Sequence, residues 1–326
     1  MKTEILTILR ENEGYVSGQQ LCDKLNVSRT AVWKVIEQLK KEGYKIEAVR
    51  NKGYHLTESP DVMSQAEIES RLETEWAGNP VIYMDETDST NIQAKKLGEA
   101  GGKHGTLVVS DRQTAGKGRR GRGWESPSGA SIYMSILLRP EFLPDKAPML
   151  TLVMALAVAE AVQEVTGEAA GIKWPNDIVL NKKKICGILT EMSAEIDYIN
   201  HVVIGVGINV NTESFPEEIQ KTATSLAIET GKKWKRPDLA AAVMRYFENY
   251  YNMFAEAQDL KPLQERYNRL LVNKDREIQV LEPGHEFGGT ALGINETGEL
   301  IVRKADGSIE EIYAGEVSVR GIYGYV

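Results

Sequence analysis

The first forty residues carry apolar side chains at helical spacing, in three groups separated by polar turns. Each group predicts one buried face of a helix: Ile5, Leu6, Ile8 and Leu9; the run from Leu21 to Leu25; and Ala31, Val32, Val35, Ile36 and Leu39. Ser17 and Gln20 have the spacing of a capping box at the start of the second helix. Ser28 is placed to cap the third helix after a short turn, and Gly43 to end it.

An alternating segment follows the third helix. Tyr44–Val49 and Tyr54–Leu56 predict two strands joined by a turn at Arg50–Gly53. Two short capped helices joined by a tight turn, with a hairpin behind them, predict a winged helix-turn-helix, which places its second helix in the major groove of DNA. A three-helix protein-interaction module is the alternative. We expect the DNA-binding residues to be Ser28, Arg29, Thr30, Lys34, Arg50 and Lys52.

Ser59 and Pro60 interrupt this pattern, so we place a linker near residues 57–64 and the DNA-binding domain at residues 1–58. A new amphipathic helix is predicted over Val62–Trp76. From 65 to 270 apolar strands and amphipathic helices mix, which predicts a central mixed α/β domain. The predicted strands are Val81–Met84, Thr106–Ser110, Ile132–Leu138, Ile178–Leu180, Ile185–Ser193 and His201–Asn209, and the predicted helices are Asn91–Ala100, Met149–Val165 and Pro237–Ala257.

Residues 272–326 return to alternation, with polar turns between short apolar segments. Thr290–Ile294, Glu299–Lys304 and Ile309–Arg320 are the predicted strands. This spacing favours a small SH3-like β-barrel, so the whole chain is predicted to be an α+β multidomain protein. Whether the barrel only packs or takes part directly in chemistry stays open.

Charge and composition limit the possible functions. The net charge is −8, but residues 1–56 hold 10 Lys and Arg against 7 Asp and Glu, a net charge of +3, which leaves −11 for the rest. This distribution favours nucleic-acid binding at the N-terminal end alone. The opening residues lack the apolar run of a signal peptide, and Cys22 and Cys186 are the two cysteines, so we expect a cytoplasmic protein with no membrane span.

The segment from Gln113 to Trp124 is the most unusual of the chain, since it contains four cationic residues and four glycines. Glycine lets backbone N–H groups approach a ligand, while Arg and Lys neutralise phosphate or carboxylate. The segment lacks the pattern of a phosphate-binding P-loop. Taken alone, it predicts either an anion-binding loop or a solvated basic loop.

Two further segments carry candidate chemistry. Lys173–Asp177 precedes a strand, and Asp177 offers the single carboxylate that a nucleotide-bound Mg²⁺ needs. Lys182–Gly187 follows, where Lys184 begins an apolar strand and is expected to face a pocket, whereas Lys182 and Lys183 are expected to form a solvated turn. Gly205–Asn211 lacks the third glycine of a dinucleotide fingerprint and is weak evidence by itself.

Together these segments resemble the biotin–protein ligases and, with the N-terminal module, the bifunctional ligases that repress the biotin operon. The matching stretches, which keep the order of the family, are Asp88–Asn91, Gln113–Trp124, Lys173–Asp177, Lys184 with Gly187, and Gly205–Asn211. The resemblance covers nearly the whole chain. It implies a biotin/ATP-binding catalytic domain at residues 65–270 and a C-terminal domain at residues 272–326.

The resemblance implies three sets of site residues. The biotin-binding residues are Ser89, Thr90, Asn91, Gln113, Gly116, Lys117, Gly118, Arg119 and Lys184; the nucleotide-binding residues are Arg119, Arg122, Trp124, Lys184 and Asn209; and the catalytic residues are Lys184, Arg119 and Asp177, with Asp177 on Mg²⁺. Lys184 would bridge the biotin carboxylate and the α-phosphate. Lys117 departs from the family, where Arg is usual, and this exchange keeps the charge but loses the bidentate fork.

The resemblance also implies the reaction and the partners. Biotin and ATP with Mg²⁺ would form biotinyl-5'-AMP, and the biotin would pass to a lysine of a biotin carboxyl carrier protein of the acetyl-CoA carboxylase type, with no tightly held prosthetic group. The ligated form would dimerise and bind an inverted repeat in operator DNA, with biotinyl-5'-AMP as corepressor. A repressor that senses biotin without chemistry and a lipoate ligase are the alternatives.

Overall fold

The computed structural model describes residues 1–281, 284–313, 318–321 and 325–326, and these form three β-sheets with their helices. The α-helices are α1 (Lys2–Glu11), α2 (Gly18–Leu25), α3 (Arg29–Lys41), α4 (Gln65–Glu69), α5 (Thr90–Glu99), α6 (Met149–Thr166), α7 (Leu226–Thr230), α8 (Arg236–Ala257) and α9 (Lys261–Leu270). The strands are β1 (Lys45–Val49), β2 (Gly53–Glu58), β3 (Val81–Thr87), β4 (Leu107–Gln113), β5 (Ser131–Leu138), β6 (Gly171–Lys173), β7 (Asp177–Leu180), β8 (Lys183–Ala194), β9 (Ile199–Asn209), β10 (Arg276–Leu281), β11 (Phe287–Ile294), β12 (Leu300–Lys304), β13 (Ile309–Ile312) and β14 (Ser318–Gly321).

The N-terminal module consists of α1 to α3 and the antiparallel hairpin β1–β2. The Ser17 hydroxyl accepts from the Gln20 amide and the Gln20 side chain accepts from the Ser17 amide, so both halves of the capping box are present. Ser28 caps α3 by accepting from the Ala31 amide. The apolar faces of the helices form one buried cluster with Val16, Tyr44 and Ile46. The predicted winged helix-turn-helix is therefore confirmed, except that Ala31 is only half-buried.

The central part contains a seven-stranded sheet, whose strands lie in the order β3-β4-β5-β9-β8-β7-β6. Its pairs are antiparallel except β3–β4. Helix α5 covers one face, where Ala94 and Leu97 pack on Leu137 and Val203. Helices α6 and α8 cover the other face, and α6 is as apolar as a membrane span because it lies inside this core.

The predicted strands and helices of the central part are all present, except for one helix. The predicted helix Val62–Trp76 is wrong, because only Gln65–Glu69 is helical. Beyond it the amides of Glu75, Trp76 and Ala77 donate to the Glu248 carboxylate of α8, at 2.7–2.9 Å, instead of to helix carbonyls. A tertiary contact with a residue far along the chain thus replaces the local pattern.

The C-terminal strands form an antiparallel sheet in the order β13-β12-β11-β10-β14. Its buried residues belong to the same apolar cluster as the central sheet. Two hydrogen bonds anchor this sheet near the turn after β6: the Trp174 indole donates to the Gly298 carbonyl at 3.1 Å, and the Trp174 amide donates to Asn273 at 3.0 Å. The closure into a barrel stays a prediction, as does the extent of the strand Ile309–Arg320, whose residues 314–317 lie outside the described residues.

Two buried charge clusters join the N-terminal module to the central part. Glu67 of α4 is fully buried and accepts hydrogen bonds of 2.6 Å from Arg10, Arg71 and Tyr44. In the second cluster Arg236, which is 2% exposed, pairs with Asp61 of the linker at 3.1 Å and with Asp111 of β4 at 2.9 Å. The linker is therefore held by ion pairs that also reach the central sheet.

The Glu67 cluster generates a test of stability. Substitution Glu67→Ala removes the carboxylate that Arg10 and Arg71 share and leaves Arg71 with Asp238 alone, so we expect it to lower the free energy of unfolding in urea by about 3–5 kcal/mol. Glu58→Ala is the matched control, because Glu58 pairs with Lys45 on the surface, and it should change stability little. Equal effects of the two substitutions would contradict the role of the Glu67 cluster.

Candidate active site

A cavity of about 760 Å³ opens beside the central sheet. Its walls are the basic loop (residues 113–124), the turn between β6 and β7, the segment 215–223 and Tyr325. A smaller cavity of about 50 Å³ adjoins it, bounded by the start of α5 and by β8 and β9. Six residues line both cavities and thus mark their junction: Gln113, Gly118, Arg119, Trp124, Asn176 and Lys184.

Lys184 and Asp177 form an ion pair at this junction. The Lys184 ammonium lies 2.5 Å from the Asp177 carboxylate, and their side chains are 24% and 14% exposed. Asp177 pairs with Gly187 across the antiparallel ladder of β7 and β8, and Lys184 lies on β8 as well. The register of these two strands therefore positions both Asp177 and Lys184. Lys182 is exposed in the β7–β8 turn, as expected. The structure therefore brings a half-buried ammonium to the place where the two cavities meet.

Arg119 reaches the same point from the basic loop. Its guanidinium donates to the Asn176 side chain at 2.8 Å. Burial lowers the pKa of Arg119, while the nearby Asp177 carboxylate opposes that shift. Arginine is effectively always protonated in proteins. Two cations of the chain thus flank the junction.

Two glycines of β9 let the side chains of Trp124 and Asn91 come close to the sheet. A Cβ at Gly207 would lie 2.7 Å from the Trp124 indole, and one at Gly205 would lie 1.9 Å from the Asn91 amide. The buried indole Nε1–H of Trp124 has no hydrogen-bond partner among the described residues. The glycines of the Gly205–Asn211 segment therefore make room for the Trp124 ring and the Asn91 amide.

Polar side chains line the smaller cavity. Ser89, Thr90 and Asn91 are buried at the start of α5. The Gln113 carbonyl accepts from the Thr90 amide at 2.9 Å, and its NH₂ group donates to Ser126 at 2.9 Å. The Asn91 carbonyl accepts from Ser135 at 2.6 Å, while its NH₂ group donates to Glu191 at 2.9 Å. The cavity thus presents fixed donors and acceptors.

The remaining predicted site residues also lie around the two cavities. Lys117 lines the smaller cavity, while Gly116, Arg122 and Asn209 line the larger one. The Asn209 side chain is already engaged, because its NH₂ group donates to the Thr224 carbonyl at 3.1 Å. Burial raises the pKa of the Cys186 thiol, so this cysteine stays protonated and is not an activated nucleophile.

Several lining residues were missed by the sequence analysis. Phe215, Pro216 and Ile219 form an apolar wall of the larger cavity. This wall is fixed to the site, since the Lys184 amide donates to the Thr222 carbonyl at 2.7 Å. Because irregular segments lack periodicity, the sequence pattern does not place these residues at the site. The one available indication was the presence of apolar residues in an otherwise polar loop. Lys173 and Tyr325 also line this cavity and were not predicted.

The predicted DNA-binding residues are exposed at the start of α3 and at the turn of the β1–β2 hairpin. Arg29, Thr30 and Lys34 are exposed on α3, and Arg50 and Lys52 are exposed at the hairpin turn. Arg29 also donates to Gln19 of α2 at 2.8 Å, and Ser28 caps the helix. The arrangement presents cations beside a helix N-terminus, which favours phosphate.

Asp177 is the candidate residue for contact with a metal ion. Among the described residues, no group of three or more His, Cys, Asp or Glu side chains is placed to hold a metal ion. Asp177 has one oxygen on Lys184 and the other on the Tyr325 hydroxyl. Such a residue fits an ion that arrives with phosphate ligands, since Mg²⁺ often takes one or two carboxylates from the protein.

Comparisons with known proteins agree with this geometry. Residues 82–209 match the Biotin/lipoate A/B protein ligase family, residues 2–55 an HTH domain and residues 275–320 the Biotin protein ligase C terminal domain. The bifunctional ligase/repressor BirA of Bacillus subtilis is 41% identical over 94% of this chain and 94% of its own length, and that of Escherichia coli is 32% identical over 97% and 96%. A biotin protein ligase from Aquifex aeolicus, solved with biotin and ATP, is 34% identical, with a TM-score of 0.65 over 74% of this chain and 98% of that one.

The close approach of Trp124 to the sheet can be tested by a double-mutant cycle. Gly207→Ala places a methyl group against the indole, so we expect a loss of about 1–3 kcal/mol in the free energy of unfolding. In a Trp124→Ala background the same substitution should cost less than about 0.5 kcal/mol, because the clash is gone. Gly14→Ala, at a position with open space around it, is the control. An equal cost of Gly207→Ala in both backgrounds would contradict the contact.

Proposed function

The chain belongs to the biotin protein ligases of the bifunctional ligase/repressor type. We propose that it activates biotin with ATP, forming biotinyl-5'-AMP, where its two cavities meet. It is a biotin–[acetyl-CoA-carboxylase] ligase that also represses transcription of biotin synthesis genes. The observation that carries the proposal is the position of Lys184 and Arg119, which line both cavities. Biotin would occupy the smaller cavity and the nucleotide the larger one.

The first step is limited by charge repulsion. The biotin carboxylate attacks the α-phosphorus of ATP, a P–O bond forms, and the bond to pyrophosphate breaks. Two anions have to meet, and the ammonium of Lys184 and the guanidinium of Arg119 would neutralise them at the junction. At about 4 Å and an effective dielectric constant near 20, one such contact gains roughly 4 kcal/mol before desolvation. Lys184 would leave Asp177 for the carboxylate and α-phosphate.

Biotin binding would use the polar residues of the smaller cavity. The ureido group needs both donors and acceptors, and Ser89, Thr90 and Gln113 supply them. The smaller cavity is open toward the larger one, with which it shares six lining residues, and we propose that the basic loop closes over biotin once it has entered. Gly116, Lys117 and Gly118 would cover the ligand, with Asn91 bracing the wall through Ser135 and Glu191.

The nucleotide would lie along the larger cavity. We propose that Arg122 contacts phosphate, that Trp124 lies against the adenine, and that Asn209 completes the nucleotide pocket. Mg²⁺ would arrive on the ATP phosphates and be held by Asp177, and it supplies positive charge to the phosphate oxygens. The apolar wall of Phe215 and Ile219 would shield the bound adenylate from water.

The second step transfers biotin to protein. A lysine amine of the acceptor attacks the anhydride carbonyl, an amide forms, and AMP leaves. This chemistry needs no side-chain nucleophile of the ligase. The acceptor is proposed to be a biotin carboxyl carrier protein.

We propose that residues 1–58 bind DNA, residues 65–270 catalyse, and residues 272–326 form a C-terminal domain. The ligated protein would form a homodimer in the cytoplasm and bind an inverted repeat, with biotinyl-5'-AMP as corepressor. The linker supports such coupling, because Arg236 joins Asp61 to Asp111. Asp111 also accepts from the Gly129 amide at 3.1 Å, just beyond the basic loop.

Biotin-dependent exchange of pyrophosphate into ATP tests the ligase proposal. We expect Lys184→Ala to lower this exchange by at least about 100-fold, because it removes the cation at the reacting oxygens. Lys182→Ala removes an equal charge from the exposed turn and should stay within about twofold of wild type. Wild-type protein that binds biotin without exchange would support a repressor that only senses biotin, and exchange that depends on lipoate instead would support a lipoate ligase.

The DNA-binding residues can be tested with duplex DNA of random sequence, because phosphate contacts dominate non-specific affinity. We expect Lys34→Ala to weaken binding and to lower the dependence of log K on log salt by about 1. Lys274→Ala removes the same charge from an exposed position after α9 and serves as control. Identical salt dependence for Lys34→Ala and wild type would contradict the assignment of Lys34.

A further inference from the structure

Tyr325, which follows the C-terminal sheet, reaches the candidate active site. Its hydroxyl donates to the Asp177 carboxylate, on the oxygen that Lys184 does not hold. Its ring lies under the Lys173 ammonium, 3.6 Å from nitrogen to ring centroid. Lys173 is only 6% exposed, so the ring face stabilises a cation that has lost most of its water.

The C-terminal sheet is anchored to the same segment that Tyr325 contacts. Trp174 is fixed to this sheet through both its indole and its amide. Leu271, which precedes the sheet, forms a bridge with Ile172 of β6. These contacts hold the C-terminal sheet against the segment that carries Lys173 and Asp177, and Tyr325 contacts both of these residues directly.

We propose that Tyr325 is a positioning residue for adenylation, acting on Lys184 through Asp177. Asp177 is held between Tyr325 and Lys184, and its carboxylate fixes where the Lys184 ammonium waits for substrate. The Asn176 NH₂ group also donates to the oxygen on the Lys184 side, at 3.2 Å, so Tyr325 is the contact that holds the second oxygen. Without the hydroxyl that oxygen loses its partner, the carboxylate is less firmly oriented, and the ammonium loses part of its fixed starting position. The ring has a separate effect, because it neighbours Lys173 on the wall of the nucleotide cavity. This inference rests on the proposed ligase function.

The two effects are separated by two substitutions. Tyr325→Phe keeps the ring over Lys173 and removes the hydrogen bond to Asp177, so we expect kcat of biotin-dependent pyrophosphate exchange to fall about tenfold. The KM for biotin should change less than twofold, because Tyr325 does not line the smaller cavity and the polar groups of Ser89, Thr90 and Gln113 are unaffected. Tyr325→Ala also removes the ring and should in addition raise the KM for ATP about threefold or more.

The experiment measures these constants with the full-length protein and adds an Asp177→Asn background. There Tyr325→Phe should change kcat by less than twofold, since its partner has been altered. Tyr313→Phe, at an exposed tyrosine of the same part of the chain, is the matched control. If the Tyr325→Phe variant exchanges pyrophosphate at the wild-type rate, the inference is overturned and the ligase function stands. An equal loss in both backgrounds would also overturn it, whereas absence of exchange in wild type would overturn the ligase function itself.

Discussion

Electrostatic repulsion between a carboxylate and a triphosphate is the constraint on which the site depends. In the proposed reaction Lys184 and Arg119, which lie where the two cavities join, would meet it. Before substrate arrives Lys184 is paired with Asp177 at 2.5 Å, so its charge is neutralised while it waits half-buried. Binding of two anions then replaces one carboxylate as the partner, and the protein does not leave an isolated buried cation at any stage.

The fold serves this charge arrangement in two ways. The antiparallel register of β7 and β8 fixes Asp177 beside the strand that carries Lys184, and the glycines of β9 let Trp124 and Asn91 reach the sheet. The C-terminal sheet is anchored on Trp174, only three residues from Asp177. The N-terminal module and the linker are held by buried ion pairs at Glu67 and Arg236. Arg236 also contacts Asp111, so a movement of the basic loop could reach the linker through these contacts.

Periodic and local features were predictable from the sequence. The caps at Ser17 and Ser28 and the apolar strands of the central sheet follow from nearby residues alone, and the ordered motifs indicated the cations at the site. Contacts between distant residues were not predictable. The helix at Val62–Trp76 is cut short by Glu248, and Tyr325 meets Asp177 across 148 residues of chain. The irregular segment that carries Phe215 has no period from which its place on the cavity wall could be inferred.

The most direct test of the central claim follows the oxygen atoms of biotin. The chain is incubated with ATP and biotin labelled with ¹⁸O in both carboxylate oxygens, hydroxylamine is added to trap the activated acyl group, and the AMP is analysed by mass spectrometry. If the carboxylate attacks the α-phosphorus, one labelled oxygen remains on the phosphate, and each AMP formed carries one ¹⁸O. Formation of the hydroxamate together with unlabelled AMP would contradict a biotinyl-5'-AMP intermediate.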